Sequence, residues 1–113
     1  MKMEISESTD GLRRVTLAGR LDTPAVLDIE PRFVTGLVPG GKSAIVDLSQ
    51  VEFISSMGIR MFISVARTLQ DRQAKLVFYA PQQRVNEVLE STAFRKLVPV
   101  CSDDAEAAAR AQA

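Results

Sequence analysis

Ser55 and Ser56 stand where the apolar run "VEFI" gives way to an apolar-periodic segment, and Gly58 follows two residues later. Hydroxyls at a strand-to-helix junction admit three chemistries: a hydrogen-bond cap, a nucleophile or a phosphate acceptor. A serine cap contributes about 1 kcal/mol and by itself carries no function. A nucleophile needs a base, and the 113-residue chain contains no histidine. That removes the commonest general base near neutral pH and excludes a Ser-His-Asp triad within the chain. "SSMGI" is also not a Gly-x-Ser-x-Gly elbow. The chain is therefore read as a non-enzyme. A phosphate acceptor has a clear physical rationale here. Phosphoserine adds about −1.5 to −2 charges, and a helix N-terminus stabilises an anion by up to ~2 kcal/mol. On a docking surface the same group costs a partner several kcal/mol, on the order of a hundredfold or more in affinity. Modification would switch partners and spare the fold.

Other polar residues have simpler readings. Asp22, before Thr23 and Pro24, suits an N-cap and equally a binding role. Asp47 at a strand end suits a loop cap better than a metal ligand. Arg60 lies one turn into the helix after Ser56, as a phosphate partner or as a solvated arginine. Cys101, the single cysteine, is a small apolar filler without a disulfide partner or a histidine to share a metal. "PGGK" lacks the spacing of a phosphate loop. No metal site and no cofactor are expected.

These residues must be positioned by a scaffold, and the hydrophobic pattern predicts one. "MEIS" and "RRVTLAG" read as strands joined by a hairpin across Thr9 to Gly11. A helix follows, capped by Asp22 or Thr23 with Pro24 at its first position. Ala25, Leu27, Ile29 and Phe33 are expected on its inner side, with a kink or break near Glu30 because Pro31 follows. "SAIVDLS" predicts a short strand ending at Asp47 and Leu48, then a connection through Val51 and Phe53. In the next helix Met57, Met61, Val65 and Leu69 recur every four residues, and Phe62 and Ala66 widen the stripe. "KLVFYA" reads as a strand, "PQQRVNEVLESTAF" as a helix with Val85, Val88 and Leu89 on one face. "KLVPVC" is a last strand that Pro99 confines to an edge or an end. "SDDAEAAARAQA" is an alanine-rich helix with Ser102 as its cap. Strand–helix alternation through the second half implies parallel strands with right-handed crossovers, and the hairpin makes the sheet mixed. The expectation is one α/β domain over residues 1–113, a mixed central sheet with helices packed mainly on one face.

Composition narrows the function classes. Fourteen basic and fourteen acidic residues cancel, which argues against nucleic acid or an anionic membrane as a partner chosen by charge. The hydrophobic and charged fractions, 46% and 25%, are those of a soluble globular chain. The first ten residues lack a signal-type apolar stretch. No apolar run approaches the roughly 20 residues of a membrane helix. A cytoplasmic protein without membrane insertion is expected.

Three stretches in order resemble the STAS domain, the fold of anti-sigma factor antagonists. "GRLD", Gly19 to Asp22, is similar to the family's Gly-x-Leu-Asp loop. "IVDLSQVEFISSMGI" is similar to the stretch leading to its regulatory serine and glycine. "KLVFYAPQQRVNEVLESTAFRKLVPV" is similar to its closing strand, helix and strand. The resemblance implies that Ser56, two residues before Gly58, is phosphorylated, with Ser55 as a competing acceptor. It implies a cycle in which the unphosphorylated protein binds an anti-sigma factor that is itself a serine kinase, freeing a sigma factor for transcription. Phosphorylation breaks the complex, and a serine phosphatase restores it. Asp22, Thr23, Ser55, Ser56, Met57, Gly58 and Arg60 would form the partner-facing surface. Two positions depart from the pattern: Ser55 replaces a common acidic residue, and Met57 replaces a common second serine. The alternative reading keeps the fold and makes the chain a stand-alone STAS subunit of a lipid-trafficking ABC transporter or of a sensory scaffold.

Overall fold

The structure, a computed structural model, describes residues 1–91 and 97–112. Among these the chain forms five strands and four helices. They run β1 (Lys2–Glu7), β2 (Arg13–Leu21), α1 (Thr23–Leu37), β3 (Ala44–Ile54), α2 (Ser56–Asp71), β4 (Leu76–Tyr79), α3 (Gln83–Ser91), β5 (Val100–Cys101) and α4 (Asp104–Gln112). The sheet order follows the chain, β1-β2-β3-β4-β5. β1 pairs antiparallel with β2, and the other three pairings are parallel. The sheet is therefore mixed, as the sequence pattern implied.

Strand order explains the layering. From β2 to β5 each crossover moves one strand in the same direction, so crossovers of one hand put their helices on one face. Val26, Ile29, Phe33 and Leu37 of α1, Met61, Phe62, Val65 and Leu69 of α2, and Val85 and Leu89 of α3 share one buried cluster with the sheet. Within it Phe62 meets Phe33 and Phe78 edge-on, at centroid distances of 5.5 and 4.9 Å, a favoured aromatic geometry. α4 is not a crossover and takes the opposite face. There Ala107 and Ala111 pack with Leu12, Ile45, Val77 and Cys101.

The α2 stripe matches the sequence pattern, and Met57 packs half-buried at its edge. Five other expectations need correction. The strand placed at "SAIVDLS" does not stop at Leu48 but runs unbroken to Ile54. Its buried residues Leu48, Val51 and Ile54 are three apart, which a regular two-residue alternation cannot produce. Two register shifts against β2 absorb the extra residues, as β-bulges do. Of the kink or break expected near Glu30, the break does not occur, and α1 continues as helix through Pro31 to Leu37. Pro31 lies on the exposed side of the helix, where water can satisfy the carbonyl that loses its amide partner. Leu27, expected inside, is 63% exposed, and Val26 occupies the inner face instead. Pro24 is the second helical residue, not the first; its missing N–H is still one that no helical carbonyl needs. At α4 the cap is Asp103 and not Ser102. The Asp103 carboxylate accepts the Ala105 N–H at 2.9 Å, and its carbonyl accepts that of Ala107.

The remaining expectations lie close to the structure. The turn between β1 and β2 spans Ser8 to Leu12, with Gly11 at φ +83°. β5 begins after Pro99, on the sheet edge. Thr92 to Phe94 of the expected third helix and Lys96 of the last strand fall outside the described residues.

Candidate functional site

The site is built where two parallel strands end together. Leu21 of β2 and Ile54 of β3 are register partners, and the Ser55 N–H donates to the Leu21 carbonyl at 2.9 Å. The next residue in each chain segment caps a helix. Asp22, in extended backbone, accepts the Ala25 N–H at 3.0 Å through Oδ1. Ser55, also extended, accepts the Gly58 N–H at 3.2 Å through Oγ. Two helix N-termini thus emerge side by side, each with a hydroxyl as its first helical residue: Thr23 on α1 and Ser56 on α2. Both are exposed.

The two serines therefore divide their work. Ser55 is half-buried and its hydroxyl is engaged in the cap. Ser56 is exposed, and its hydroxyl makes no hydrogen bond among the described residues. First-turn amides lack helical acceptors, and the Ser55 hydroxyl satisfies only that of Gly58. The sequence left open which serine was the cap; backbone conformation decides it.

Gly58 is explained by packing. A Cβ there would lie 2.9 Å from Leu21 Cδ2 and 3.1 Å from Ile54 Cγ1. Both neighbours are buried and have little room to retreat. Glycine lets α2 start this close to the strand ends without displacing Leu21 or Ile54. Arg60 lies four residues after Ser56, on the same helix side; it is exposed and forms no ion pair among the described residues. Of the residues singled out from sequence, Asp22, Thr23, Ser55, Ser56, Met57, Gly58 and Arg60 all lie in the first turns of these two helices or at their caps. Leu27 is an addition. It sits one turn beyond Thr23 on α1, and its exposure could not be read from a segment with apolar residues on several sides.

Polar groups elsewhere have local roles. Asp47 Oδ1 accepts the Ser49 N–H at 2.9 Å, which steadies the bulged part of β3. Cys101 is buried, and burial pushes its thiol pKa above the usual range, with Glu106 nearby acting in the same sense. Among the described residues no group of acidic residues and cysteine is arranged to hold a metal ion. No helix there is long and apolar enough to cross a membrane.

Comparison with known proteins agrees with this architecture. A candidate anti-sigma factor antagonist of Bordetella bronchiseptica, BtrV, is 28% identical over 103 residues, covering 91% of this chain and 89% of its own. A crystal structure of a candidate anti-sigma factor antagonist from Thermotoga maritima superposes with a TM-score of 0.89 at 15% identity, covering 98% of this chain and 95% of that one. The anti-sigma factor antagonist SpoIIAA in its unphosphorylated form gives 0.81 at 20% identity, covering 98% and 96%. The family model of the STAS domain matches residues 4–107. With its strand order, its paired helix N-termini and that match over nearly its whole length, the chain belongs to the STAS domain family.

Proposed function

We propose that this chain is an anti-sigma factor antagonist, working as one STAS module and switched by phosphorylation of Ser56. The observation that carries the reading is the division between the serines: Ser55 is committed to the α2 cap, while Ser56 offers an exposed, unengaged hydroxyl. The names of BtrV and SpoIIAA support the class of function.

In the unphosphorylated state, Ser56, Thr23 and the exposed Leu27 form a small, nearly neutral docking surface. Asp22, Met57, Gly58 and Arg60 contribute or support it. An anti-sigma factor with serine kinase activity docks there and lets its sigma factor go. A phosphate on Ser56 is welcomed by the helix N-terminus, at up to ~2 kcal/mol. The same charge, buried against a partner shaped for a hydroxyl, costs several kcal/mol. The complex parts while the domain stays folded, and a serine phosphatase resets it. The chain itself supplies no catalysis in this cycle, which runs in the cytoplasm.

The test is incubation with candidate anti-sigma kinases and ATP, followed by fragment mass spectrometry and partner binding. The proposal expects one phosphate on Ser56, none on the Ser56→Ala variant, and loss of binding on phosphorylation. No phosphate under any condition, with Ser56→Ala binding its partner normally, would overturn it. Stable association with a transport ATPase instead would select the transporter-subunit role.

A further inference from the structure

Beside the paired helix N-termini lies a cleft of about 290 Å³ between the strand ends and the first turns of α3. Its lining includes Arg20 of β2, Glu52 and Phe53 of β3, and Arg84, Val85 and Val88 of α3. Phe53 is one of few large apolar side chains left substantially exposed, at 39%. The Arg20 guanidinium lies 4.6 Å from the centre of its ring. Stacking uses the flat face of a guanidinium and leaves its in-plane N–H donors available. Neither Arg20 nor Arg84 forms an ion pair among the described residues, although the chain as a whole is neutral.

The geometry points to a binding site for a small amphipathic organic anion, an apolar ring or short chain that carries one carboxylate. Three features specify that class. The volume is at the small end for ligand pockets and suits a single ring. Phe53 and Val88, with the buried Val85 behind them, supply an apolar wall of the kind that takes the body of such a ligand. Two guanidiniums against the single carboxylate of Glu52 leave a net positive charge, and a guanidinium fork matches a carboxylate in geometry as well as sign. The inference rests on the cleft alone and does not depend on phosphorylation of Ser56.

The probe is 4-phenylbutyrate, titrated into the ¹⁵N-labelled chain and followed by amide chemical shifts. The uncharged 4-phenylbutyramide is the matched control, and Arg84→Gln is the variant, at an exposed site where folding is not at stake. The expected result is saturable shifts centred on Phe53, Arg84 and Val88, with a dissociation constant on the order of 1 mM for so small a probe. The amide and the Arg84→Gln variant should each bind about tenfold more weakly, the loss of one charge-assisted hydrogen bond. Shifts that stay linear to ~10 mM overturn the inference. So do shifts that cluster elsewhere, or equal affinity for acid and amide.

Discussion

Leu21 and Ile54 end neighbouring strands in register, and the Ser55 amide closes on the Leu21 carbonyl at 2.9 Å. That single relationship brings the Asp22 and Ser55 caps together and sets Thr23 and Ser56 as exposed first residues of adjacent helices. It also leaves Gly58 no space for a side chain.

The two serines should separate cleanly by mutation. Ser55→Ala removes the cap oxygen and is expected to cost about 1 kcal/mol in urea unfolding. Ser56→Ala should change stability by less than ~0.5 kcal/mol, as surface substitutions do. A larger loss at Ser56 than at Ser55 would contradict the assignment of roles.

An acidic substitution at Ser56 should act oppositely on folding and on binding. Ser56→Asp places charge at the first helical residue, where the dipole favours it by ~0.3–1 kcal/mol. Thermal unfolding should show an unchanged or slightly raised midpoint, while affinity for the proposed anti-sigma partner falls at least tenfold, ~1.4 kcal/mol.

Gly58→Ala should destabilise the domain, although alanine is the better helix former by up to ~1 kcal/mol. The added methyl meets Leu21 Cδ2 at 2.9 Å in a filled core, and overpacking of this kind costs ~1–3 kcal/mol. A net loss in chemical denaturation is expected. A gain would mean that Leu21 can move aside.

Phe62→Ala opens the centre of the main core, where two edge-on aromatic contacts meet. The expected loss is about 3–5 kcal/mol, measured from the denaturant midpoint at constant slope.

Cys101 should be inert in the native state. Burial raises its thiol pKa, so thiolate is scarce at neutral pH and access is blocked. Ellman's reagent should react slowly until denaturant exposes the residue. The linkage has a definite sign. The unfolded thiol ionises first, so this contribution to stability is complete below the unfolded pKa. It declines as pH rises from there through the raised folded value. Cys101→Ser should remove that alkaline decline.

Much of the scaffold was legible because it is written in local periodicity. The stripe Met61, Val65 and Leu69 with Phe62 and Ala66 needs no partner to be recognised. Alternation of strand and helix implied a parallel sheet, and serine or aspartate before an apolar run implied caps. β3 was less legible. Its buried residues at 48, 51 and 54 make sense only against β2, whose register absorbs the insertions. The rotation of α1 was hidden too. Its apolar residues allow more than one inward face, and the sheet selects the one with Val26 inside and Leu27 outside.

By itself, the sequence determined the ingredients of the site: two serines, a glycine two residues on, an aspartate two residues before a proline, and no histidine. Tertiary structure alone decided which serine became the cap. Ser55 and Ser56 carry the same hydroxyl, and nothing local distinguishes them. The strand pairing that ends β3 at Ile54 holds Ser55 in extended backbone at φ −87°, ψ 168°, the conformation an N-cap requires. Ser56 is thereby made the first residue of the helix, with its hydroxyl in solvent.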